Sequence, residues 1–99
     1  MATHLQNFNM ILTGVLGISP TNEQLSAVAD AALTKVTDKE LLEFFPNDTR
    51  ETLTANQRAY VANIIVRKLI RRLVRTSKVA AARIANIPAL TAAASDETI

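Results

Sequence analysis

Apolar residues recur at three- and four-residue steps along most of this chain. Leu5, Phe8, Ile11, Leu12, Val15 and Leu16 follow that spacing and predict an amphipathic helix over residues 3–16, ending near Gly14 to Gly17. Leu25, Val28, Ala29, Ala32, Leu33 and Val36 repeat the pattern and predict a second helix running to about Lys35. Its start is ambiguous by two residues. Ser19-Pro20 makes an N-cap and first-position pair, while Thr21 with Gln24 makes a competing capping box.

Thr37-Asp38-Lys39-Glu40 is a further capping box, opening a short third helix whose Leu41, Leu42, Phe44 and Phe45 stop at Pro46. The stretch 47–51 reads as a turn, with Asp48 and Glu51 placed to cap one more helical turn. Thr54-Ala55-Asn56-Gln57 is the last box. No Gly or Pro follows until Pro88, so the pattern predicts one long helix from Ala55 to about Asn86, with a weak point at Thr76-Ser77 where two poor helix formers adjoin. Residues 88–99 lack an apolar stripe and read as a flexible tail, dispensable for folding, beyond a single helical domain of residues 1–87. The fold class is all-α: a small bundle of three to four helices with one long C-terminal helix.

At 100° per residue the long helix changes character along its length. Ala62, Ile65, Val66, Leu69, Ile70, Leu73 and Ile84 share one face; Arg67, Lys68, Arg71, Arg75 and Lys78 crowd the other, together with Tyr60, Val61 and Ile64. The first half is apolar nearly all round, the second amphipathic with a cationic side. Unbroken, 32 residues span roughly 48 Å, whereas a 99-residue domain is only about 33 Å across. The last turns would overhang, leaving Leu69, Leu73, Ile84 and Ile87 as an apolar stripe for another chain to cover. A break at Thr76-Ser77 would instead fold 78–86 back onto the bundle.

Charge adds an asymmetry that the net value of +2 conceals. Residues 1–51 carry three cations against seven acids, net −4; residues 52–99 carry eight cations against two acids, net +6. Six of the eight, Arg67, Lys68, Arg71, Arg72, Arg75 and Lys78, fall within twelve residues and are the candidates for contact with an anionic partner. The apolar candidates are Leu73, Ile84 and Ile87.

Chemistry is sparse. Only four residues are aromatic, so the core is aliphatic and Ala-rich, and with no cysteine there is neither a disulfide framework nor a thiolate site. His4, the single histidine, lies near the N-terminus with no partner fixed by sequence and reads as solvated. Asp38, Glu40 and Glu43 lack the spacing of a calcium loop and suit a helix start for dipole reasons alone. The serines sit in no nucleophile motif, and no glycine-rich phosphate loop occurs. The expectation is a non-enzymatic protein without cofactor, metal or small-molecule substrate. Neither a signal peptide nor a membrane span is read from the sequence, which suggests an intracellular setting or a particle assembled inside a cell.

Two functions compete. One is a structural or assembly protein that packs against copies of itself or other subunits, as small components of virus-like or phage particles do. A head-to-tail contact would then set the acidic half of one subunit beside the basic half of the next. The alternative is sequence-independent nucleic-acid binding by the row Arg67, Arg71, Arg75 and Lys78. No aromatic interleaves with that row to stack on bases, and no Trp or Phe falls within Arg67 to Arg83 to grip a membrane surface, which disfavours both single-strand and lipid readings.

Overall fold

The computed structural model describes residues 3–95, all of whose regular structure is helical. Six helices follow one another: α1 (His4–Leu16), α2 (Asn22–Leu33), α3 (Asp38–Phe44), α4 (Ala55–Thr76), α5 (Lys78–Ala85) and α6 (Pro88–Ser95). Helix α4 is central and packs against α1, α2, α5 and α6.

Four of the helices open with the same device. Thr3, Thr21, Thr37 and Thr54 each accept the backbone N–H three residues on, while Gln6, Gln24, Glu40 and Gln57 reach back to the cap. Each box satisfies two backbone donors that a helix start otherwise leaves to solvent. Thr21, not Ser19, is therefore the cap of α2. Helix α1 runs through Gly14 and stops at Gly17, whose φ of 77° is the left-handed conformation that closes a helix end.

The bundle has six helices because the predicted long helix breaks and the predicted tail folds. Ser77 leaves the helical path (φ −137°, ψ 114°), and its hydroxyl accepts the Ala80 N–H at 3.1 Å to cap α5. An unbroken helix would have left Ile84 and Ile87 beyond the domain. The break turns Ile84 onto Ile70, in a cluster with Ile11, Leu90 and Ala93 against which Ile87 packs. Burying that much aliphatic surface outweighs the helical hydrogen bonds interrupted at the bend, since each large side chain is worth roughly 2 kcal/mol. Helix α4 alone, at 22 residues, is about 33 Å long and fits within the 41 × 26 × 25 Å extents of the molecule. There is no overhang.

The expected flexible tail is, over 88–95, a helix with Leu90 and Ala93 buried. Pro88, which ends α5, also starts α6: proline suits the first helical position, and the alanines that follow are the best helix formers. The Thr91 hydroxyl donates to the Ile84 carbonyl at 2.8 Å and ties α6 to the end of α5. Gly14 lets α6 approach α1 closely; a Cβ there would lie 3.1 Å from Ile87 Cγ2 and 3.2 Å from Leu90 Cγ. The domain thus extends to at least residue 95, and 96–99 lie outside the described residues.

Two further clusters complete the core. Phe8, Leu12, Leu25, Ala29, Ala32, Ala59 and Ala62 join α1, α2 and α4, while Leu33, Val36, Leu41, Leu53 and Val61 seat α3. The alanines of α2 and α4 permit close helix approach. Residues 46–52 form turns with no added helical turn. From them Arg50 donates to the Leu33 and Val36 carbonyls, both at 2.8 Å, and pairs with Asp38 at 3.0 Å. One guanidinium thereby closes the C-terminal end of α2 and holds the first turn of α3.

Candidate functional site

The last three turns of α4 change the role of that helix. Ala59, Val61 and Ala62 are fully enclosed, but Lys68, Leu69, Arg72, Leu73, Val74 and Arg75 are all exposed. Leu69 and Leu73 continue, at four-residue steps, the row whose Ile65 packs into the core; α2 covers the upper part of that row and ends before the lower part. They stay 54 % and 49 % exposed, a large fraction for two leucines in one row. Covering them is worth roughly 2 kcal/mol.

Cations border this apolar strip. Lys68, Arg72 and Arg75 lie on one flank, and among the described residues none of them forms an ion pair. Lys68, Arg71, Arg72 and Arg75 line a shallow depression of about 610 Å³, closed on its other side by Val74 and by Ala94 of α6. The site is an apolar strip beside a cationic recess.

Not all the predicted contact residues belong to it. Arg67 points to the opposite side of α4, where it is half-buried beside Asn7, Met10 and Ile11 of α1 and Ala93 of α6. Lys78 is exposed but starts α5, beyond the bend. Ile84 is 7 % exposed and Ile87 packs in the same cluster, so both are intramolecular core residues and not a docking stripe. Of the apolar candidates, Leu73 alone is on the surface, and Leu69 joins it.

Other residues acquire partners that the sequence did not disclose. The His4 ring meets Tyr60 edge-on at 4.6 Å, and Phe44 and Phe45 approach the same tyrosine at 5.9 Å. Asn63, 2 % exposed, donates from Nδ2 to the His4 carbonyl at 3.0 Å, and Asn56 Oδ1 accepts the Leu5 N–H at 3.1 Å. These asparagines dock the first turn of α1 on α4. Arg58 pairs with Asp30 across α2 and α4. An i, i+4 pattern in sequence cannot reveal such links, because each joins residues 15 to 59 positions apart.

Glu40 is the group whose titration the fold alters most clearly. The Thr37 backbone N–H and hydroxyl both donate to its carboxylate at 3.0 Å and hold it below its ordinary value of 4.5; Lys68 adds a smaller pull in the same direction. A second depression, about 370 Å³, lies beside α3 and is lined by Leu42, Asp38, Asp48, Glu51 and Arg50. An apolar pocket of about 320 Å³ between α1, α2 and α4 is floored by Phe8 and Leu25, with Arg58 at its rim. Among the described residues no three His, Asp or Glu side chains gather to hold a metal ion, and no helix is long and apolar enough to cross a membrane. No known protein family, curated protein or solved structure matches the chain.

Proposed function

We propose that this protein is a non-enzymatic assembly subunit that associates with copies of itself through the C-terminal half of α4. The observation that carries this reading is the pair Leu69 and Leu73, half-exposed in one helical row and bordered by Lys68, Arg72 and Arg75. A surface that only tracks phosphates gains nothing from two uncovered leucines among its cations. A protein interface uses both, the leucines for area and the cations for orientation and encounter rate. The overhanging helix and free tail suggested by the sequence play no part.

The experiment is Leu73→Asp. Half-exposed, Leu73 can lose its side chain with helicity and thermal midpoint close to wild type, while the oligomer seen by light scattering falls to monomer. A variant that keeps the wild-type mass would remove α4 from the interface.

The cationic recess gives the second reading its own observation: four cations around one depression suit a polyanion. Binding to duplex DNA or RNA at low salt, weakened evenly across sequences by Arg72→Gln with Arg75→Gln, would favour it. Absence of binding at low salt would remove it.

A further inference from the structure

The apolar-cationic face of α4 cannot pair well with itself. A two-fold that sets the two α4 helices antiparallel would bring Lys68, Arg72 and Arg75 of one copy beside the same cations of the other, which is costly. One that sets them parallel would offer those cations no carboxylate, because α4 contains none. Its counterpart must offer apolar area bordered by carboxylates. Helix α3 and the turns after it have that composition. Leu42 is 51 % exposed and Phe44 38 %. Glu40, Glu43 and Glu51 are exposed around them with Lys39 as the exposed cation of α3, and the adjoining depression is lined by Asp38, Asp48 and Glu51 against the single cation Arg50.

Each surface carries a charged depression. Around α3 the carboxylates edge a groove of about 370 Å³ with Leu42 on its wall, and on α4 the cations edge a recess of about 610 Å³ with Val74 on its wall. The two hollows are of opposite sign, Leu42 lining the acidic one and Val74 the cationic one. The acidic side is also firmly held: Arg50 grips Asp38 and the end of α2, and Asp48 accepts from Gln57 Nε2 at 3.1 Å. These contacts fix the backbone that carries Glu43 and Glu51, whose own side chains remain free to meet a partner.

We infer that the acidic shoulder formed by α3 and residues 46–52 docks on the apolar-cationic face of α4 in a second copy, Leu42 meeting Leu69 and Leu73 while Glu43 and Glu51 meet Arg72 and Arg75. The inference rests on the self-association proposed above and names its surfaces. Because it pairs unlike faces, it is tested by charge exchange within one chain.

Three proteins are compared with wild type by sedimentation at low salt: Glu43→Lys with Glu51→Lys, Arg72→Glu with Arg75→Glu, and all four changes together. Neither the Glu43 nor the Glu51 side chain makes a hydrogen bond or ion pair among the described residues, so reversing them leaves the fold intact, which circular dichroism checks. Each reversed pair should weaken association at least about tenfold, and the fourfold variant should regain most of the loss because attraction is restored with the signs exchanged. Shoulder variants that associate like wild type, or a fourfold variant weaker than either parent, would overturn the pairing while leaving self-association through α4 in place. A wild-type protein that is monomeric throughout would overturn both.

Discussion

Leu90→Ala is the substitution that most sharply separates a folded α6 from a passive tail. Leu90 is 5 % exposed and packs with Ile11, Ile70, Ile84 and Ala93, its Cγ directly over Gly14. Truncation removes three carbon atoms from that cluster, a transfer loss of about 2.4 kcal/mol at 0.8 kcal/mol each. The space left behind adds to this, since α1 and α4 are fixed by their own contacts and close on it only in part. A total of about 3 kcal/mol is expected, within the usual range for buried leucines. Domains of this size have only about 5–15 kcal/mol in all, so the loss is a fifth or more of the stability. In urea, with a slope of 1–3 kcal/mol per molar, the midpoint should fall by roughly 1–3 M. The assay is equilibrium unfolding followed by far-ultraviolet circular dichroism, with amide exchange resolving α6 from α4. A midpoint shift below about 0.2 M would show that Leu90 is not buried and that α6 contributes nothing to the core.

Other expectations follow from particular contacts. Arg50→Gln removes the donors to the Leu33 and Val36 carbonyls and the pair with Asp38; it should cost about 2 kcal/mol in chemical denaturation, with faster amide exchange at the end of α2. Thr54→Ala deletes the cap of the central helix and should cost about 1 kcal/mol, partly restored by Thr54→Ser. Glu40 has a folded-state value below 4.5, so the stability it contributes is present above that pH and disappears as pH falls through the lowered value. Glu40→Gln, which matches the glutamine in the other three boxes, should flatten that part of the pH–stability curve below about 4.5; an unchanged curve would show that the Thr37 contacts do not tune Glu40.

Local signals were the readable part of the fold. Three of the four capping boxes, the stop at Pro46 and the placement of the first two helices follow from interactions within four residues and appear where the pattern placed them, although of the first row Phe8, Ile11 and Leu12 are buried while Leu5, Val15 and Leu16 stay exposed. The fourth box, Thr3 with Gln6, has the same form and was open to the same reading. What escaped was the competition between local and distant terms. Thr76-Ser77 marked a weak point, but whether α4 broke there depended on what Ile84 and Ile87 gained by reaching Ile70, which no periodicity reports. Residues 88–95 looked structureless because Leu90 is their single large apolar side chain; a buried alanine such as Ala93 gives no hydrophobic stripe. The candidate surface divided along the same line. Lys68, Arg72, Arg75 and Leu73 were legible from helical geometry, whereas the inward turn of Arg67 and of Ile84 depends on where α1 and α6 lie.

The central claim is that the exposed end of α4 brings copies of this chain together by apolar contact reinforced by charge. Sedimentation equilibrium of the wild-type protein over a range of concentrations, at about 0.05 M and about 0.5 M salt, tests it directly, because the Debye length falls from about 14 Å to about 4 Å between the two. The mass should exceed that of the 10.8 kDa monomer and rise with concentration at low salt, with weaker but persistent association at high salt where Leu69 and Leu73 still draw copies together. A mass of one chain at every concentration in both salts would contradict it.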